Sequence, residues 1–172
     1  RGFLAQLGPD SMAKTVDLVN QLKPDALVVL GSLTWTGSKA DFAAFGEYLT
    51  KIDVPVMTTP GHWDRKSGSL AEYKEIVGAR DADGTVRSVN GVQLVFASDA
   101  LTSPDEATQR VKTQLAKAGS ARAVLLFTGK MENEFERPKL TSAHEGFWKL
   151  IEDRNVAVRF DPIRYGHRIL YE

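Results

Sequence analysis

The chain has 172 residues, of which 42% are apolar and 26% charged. That is the composition of an ordinary folded domain, long enough to bury a core without staples, and it excludes a disordered chain. Its 22 basic and 22 acidic side chains cancel, so bulk charge gives no nucleic-acid or anionic-membrane signal. The lack of cysteine excludes disulfides, thiolate zinc sites and thiol catalysis.

Ser11 to Leu22 sets Met12, Val16, Val19 and Leu22 at helical spacing, with Asp10 or Ser11 as cap, and Lys23-Pro24-Asp25 ends the segment. Ala26 to Leu30 is a short apolar run of the kind found in a buried parallel strand. After a loop at Gly31 to Gly37, Lys39 to Lys51 repeats the helical pattern with Phe42, Phe45 and Leu49 on one face. Val54 to Thr58 predicts a second strand, and Leu70 to Val77 a short helix.

The period then changes. Thr85 to Val89 and Val92 to Ala97 flank Asn90-Gly91, a strong two-residue hairpin signal. Ser103-Pro104-Asp105-Glu106 combines a capping box with Pro at the first helical position, opening a helix that buries Val111 and Leu115. Ala123 to Thr128 predicts a strand and Met131 to Leu140 a charged loop. A second capping box at Ser142 to Glu145 precedes a helix, and Val156 to Phe160 and His167 to Tyr171 close the pattern as strands. Alternating strands and helices with one hairpin predict an α/β fold: a mixed β-sheet sandwich flanked by helices, in a single domain over residues 1–172. The start at Arg1 leaves room for an upstream strand or segment. No apolar run is long enough to span a bilayer, so a soluble domain is expected, with no compartment assigned.

In such folds ligands bind at loops beyond the carboxyl ends of strands. The loops in question are Gly31-Ser32-Leu33-Thr34, Pro60-Gly61-His62-Trp63-Asp64-Arg65, Thr128-Gly129-Lys130 and Asp161-Pro162-Ile163-Arg164. Here the chain resembles the calcineurin-like metallophosphoesterase family over nearly its whole length. Val28 to Thr34 is similar to that family's VVLGDLT strand, and Val54 through Arg65 to its VPV…PGNHDR. Val89 to Asp99 resembles the hairpin that follows, and Asn155 to Gly166 the ending VDLVLSGHxHGY. The resemblance implies a four-layer αββα fold.

It also implies a two-metal site, whose ligands would be an early D-x-H, the Asp of GDLT, the Asn of GNHD, a later His and the two His of GHxH. This chain has other residues at those places. Arg1 and Phe3 fall at the first, Ser32 at the bridging Asp and His62 at the Asn. Trp63 stands at the proton-donating His, Gly129 or Lys130 at the later His, and Pro162 and Arg164 at the last pair. A serine hydroxyl does not offset the repulsion between two dications, and arginine and lysine repel them. No cofactor is therefore expected, with Mn or Fe/Zn as the fallback for an active enzyme.

Three functions stay open. The first is a catalytically inactive domain acting as a protein-binding or structural subunit of a larger assembly, with Trp35, Trp63 and Phe135 as candidate partner-surface residues. The indoles better suit filling the volume that metals would occupy, and the segment around Phe135 reads most simply as a solvated loop. The second is a metal-dependent phosphoester hydrolase with a rearranged site, in which His62 and Asp64 are the fallback catalytic pair and Asp161 an added ligand. The third is a metal-free binder of phosphate-like anions at Arg1, His62, Lys130 and Arg164. Those same cations suit plain salt bridges to Asp64 and Asp161.

Overall fold

A computed structural model describes residues 9–31, 33–61, 63–66, 70–98, 104–128, 149 and 157–160. The chain forms two compact units, Arg1–Asp81 and Ala82–Glu172.

Among the described residues the first element of the first unit is helix α1 (Pro9–Leu22), which starts ahead of the expected Ser11. Val16 and Val19 are buried, as their spacing predicts, and Met12 packs against the core. Leu22 departs from its predicted place on that face. It is 68% exposed, at the end of the helix, where Lys23 turns into the left-handed region at φ 46° and bonds back to the Val19 carbonyl. The Asn20 amide donates to the Lys51 carbonyl (2.7 Å) and accepts from the Asp53 N–H (2.9 Å), pinning α1 to the turn ahead of the next strand.

Strand β1 (Leu27–Leu30) pairs in parallel with β2 (Val56–Thr59), in the register Leu27 to Val56 and Leu30 to Thr59. Two strands side by side in the same direction need a crossover, and helix α2 (Lys39–Leu49) supplies it. Ser38 caps α2 by accepting from the Asp41 N–H at 3.2 Å. Phe42, Phe45 and Leu49 are buried on one face of α2. They join Leu33, Leu70, Tyr73 and Val77 in one core, the last two carried on or just after α3 (Ala71–Ile76). Full burial of one such large side chain contributes roughly 1.5–3 kcal/mol.

In the second unit, β3 (Val86–Val89) and β4 (Val92–Ser98) pair antiparallel around Asn90-Gly91. Both turn residues have positive φ, 46° and 78°, as a tight two-residue hairpin requires. Helix α4 (Pro104–Ala118) then lets β5 (Ala123–Thr128) join β4 in parallel, and β6 (Ala157–Phe160) joins β5 in parallel. The order is β3-β4-β5-β6, a mixed sheet as expected. Val95, Phe96 and Ala97 of β4 are buried, as are Val111, Leu115 and Ala118 of α4. The predicted helix after Ser142 and strand at His167 to Tyr171 lie outside the described residues, apart from Lys149. No helix among the described residues is long and apolar enough to cross a membrane.

Candidate functional site

The two loops that follow β1 and β2 meet at one carboxylate. Asp64, in a short 3-10 turn (Trp63–Arg65), has no solvent exposure. Its Oδ2 accepts from the Leu33 N–H (3.0 Å) and the Gly61 N–H (2.7 Å). Its Oδ1 accepts from the Thr34 N–H (2.7 Å) and the Thr34 hydroxyl (2.9 Å). Both oxygens are thus committed to loop donors, and three backbone N–H groups that the strand ends leave unpaired are satisfied at once. Burial pushes the Asp64 carboxyl up to about 6. The bonds from Gly61, Leu33 and Thr34 pull it back down.

A second tie runs between the same loops through Gly37. It sits at φ 68°, and a β-carbon there would come within 2.6 Å of the Asp64 carbonyl oxygen. Only glycine fits that approach. The Gly37 N–H also donates to the Thr34 hydroxyl at 3.2 Å.

On these clamped loops, Trp35 and Trp63 stack with ring centroids 4.6 Å apart and planes 23° from parallel. Both are half-buried. The Lys66 ammonium lies 4.9 Å from the Trp63 ring centroid and 5.4 Å from that of Trp35, within cation–π range of both.

Behind β2, the Thr58 hydroxyl lies 3.0 Å from the buried Tyr73 hydroxyl, which donates to Asp81 Oδ1 (2.9 Å). Asp81 Oδ2 in turn meets Lys74 at 3.1 Å. This chain of partners anchors α3 to the strand that precedes the Asp64 loop.

Of the residues singled out from sequence, the structure brings together Trp35, Trp63 and Asp64. Arg1, Ser32, His62, Lys130, Phe135, Asp161 and Arg164 lie outside the described residues. Among the described residues no group of three His, Asp or Glu side chains gathers to hold a metal ion. Asp64 spends its oxygens on the loops. Sequence reasoning missed Lys66 and the Thr58–Tyr73–Asp81 chain. Lys66 did have a local signal: it follows Trp63 by one short turn.

The fold is of the metallophosphoesterase type that the sequence resemblance implies, and two comparisons bear on it. The chain is 24% identical over 120 residues to a protein of Vesicomyosocius okutanii subsp. Calyptogena okutanii (strain HA) described as "Probable cyclic nucleotide phosphodiesterase". That match takes in 69% of this chain and 50% of the relative, so it spans half the relative's length. The crystal structure of TT1561 of Thermus thermophilus matches with a TM-score of 0.61 at 20% identity, over 88% of this chain and 75% of that one. No protein-family model matches the chain.

Proposed function

We propose that this chain is a catalytically inactive phosphoesterase-like domain that serves as a protein-binding or structural subunit. The observation that carries the reading is the indole at position 63. Where the family has a proton-donating histidine, this chain places Trp63, stacked on Trp35. An indole does not exchange a proton at neutral pH, and tryptophan is the side chain most concentrated at the energetic centres of protein interfaces. Two further points support the reading. Ser32 stands where a bridging carboxylate is needed between two cations. Asp64 is occupied by four internal donors.

The test is elemental analysis of the purified chain with a turnover assay on an aryl phosphodiester in Mn²⁺. The expected result is no retained stoichiometric metal and no turnover above the buffer rate. Stoichiometric metal with turnover that disappears in His62→Ala overturns the reading. A phosphoester hydrolase with a single-metal site at His62, Asp64 and Asp161 would then take its place. That second reading draws on the description of the curated relative.

A further inference from the structure

We propose that the Trp35–Trp63 pair and Lys66 form a docking point for an acidic side chain flanked by an apolar residue on a protein partner. The proposal rests on the scaffold reading and names the partner chemistry it implies.

Three observations converge. First, the two rings are stacked on each other yet half-buried, so part of the pair faces solvent. Second, the rings are held in place before any partner arrives. Trp35 follows Leu33 and Thr34, and Trp63 lies between Gly61 and Asp64, so the Asp64 hydrogen bonds fix the chain beside both rings. A surface fixed in advance loses little freedom on binding, which favours affinity per unit area. Third, no carboxylate among the described residues matches the charge at this point. On the neighbouring helices, Lys39 meets Glu75 at 2.6 Å and Lys74 meets Asp81 at 3.1 Å. Lys66 is exposed and rests over the two indoles, and no carboxylate among the described residues forms an ion pair with it. Ring quadrupoles attract the ammonium but leave its N–H groups able to donate. An incoming carboxylate complements that charge, and an adjacent aliphatic group complements the indoles.

The experiment uses the full chain with Trp148→Phe, which restricts intrinsic tryptophan fluorescence to Trp35 and Trp63. Circular dichroism checks the fold of every variant. The probes are a short synthetic peptide of alternating glutamate and leucine, its glutamine counterpart, and inorganic phosphate. The glutamate peptide is expected to give a saturable change that weakens with added salt. Binding should be about tenfold weaker in Lys66→Met, which keeps the apolar stem and loses the charge. It should be lost in Trp35→Ala. Equal binding of the glutamine peptide, undiminished binding in Lys66→Met, or no saturable change each overturns the proposal. Displacement by phosphate at equal concentration also overturns it, in favour of a simple anion site. These outcomes are separate from the metal and turnover assay, so either reading can fail alone.

Discussion

Two acids, one in each unit, are held in opposite ways. Asp64 is fully buried and surrounded by neutral donors, three backbone N–H groups and one hydroxyl. Asp83, in the turn ahead of β3, meets the Arg110 guanidinium of α4 at 3.1 Å, with 18% of its side chain and 34% of Arg110's accessible to solvent. Beside it, the Gln114 amide donates to the Gly84 carbonyl. The difference is one of purpose. An ion pair near solvent contributes little, because water screens it and two long side chains must be ordered. A carboxylate that satisfies several buried donors sets backbone shape, because those donors have no other acceptor.

The contrast can be broken at its strong end first. Asp64→Ala leaves the Leu33, Thr34 and Gly61 N–H groups buried without their acceptor, and should cost about 3–5 kcal/mol. Urea unfolding at pH 7 measures it, and a loss no larger than that of an ordinary surface substitution would contradict the clamp. Next comes Gly37→Ala. It meets both a left-handed backbone and a carbonyl oxygen at 2.6 Å, and should cost about 2–4 kcal/mol in the same assay.

The third prediction concerns pH. The folded Asp64 carboxyl titrates at about 6, above its ordinary 3.8. The folded state therefore holds the proton more tightly than the unfolded chain, and the buried charge subtracts stability at neutral pH. This group's penalty fades as pH falls from about 6 toward 4, by at most roughly 2–3 kcal/mol. Unfolding free energies of wild type and Asp64→Asn, compared across that window, should show the wild type gaining on the variant as the solution is acidified. Parallel curves would remove the pH argument. The smallest effect belongs to the second unit. Asp83→Ala should cost about 1 kcal/mol or less, diminished further by salt. A loss comparable to that of Asp64→Ala would erase the distinction between the two acids.

Much of the fold was legible because its signals are local. The Val-rich run at Leu27 to Leu30, the Phe42–Phe45–Leu49 stripe and the Asn90-Gly91 turn each carry their structure within a few residues. The exposure of Leu22 was not legible from spacing, because it depends on the chain turning at Lys23 just as the stripe would continue. At the site, the neighbouring loops of Trp35 and Trp63 were readable, while the role of Asp64 was not. Its partners Leu33 and Thr34 lie about thirty residues away and use backbone atoms, which leave no trace in residue type. Lys66 was overlooked because its contacts are with ring faces, not with a charge of opposite sign.

The Asp64 tie also bears on how such a domain diverges. Positions 32 and 62 each fall in the sequence beside residues that Asp64 secures. Because the spacing of the loops comes from their own hydrogen bonds, the identity of the side chains between those anchors can drift without the frame collapsing. A lineage could shed catalytic groups at such positions and keep its architecture. By the same logic, an aspartate introduced at 32 and an asparagine at 62 should leave the Asp64 hydrogen bonds to the neighbouring residues in place.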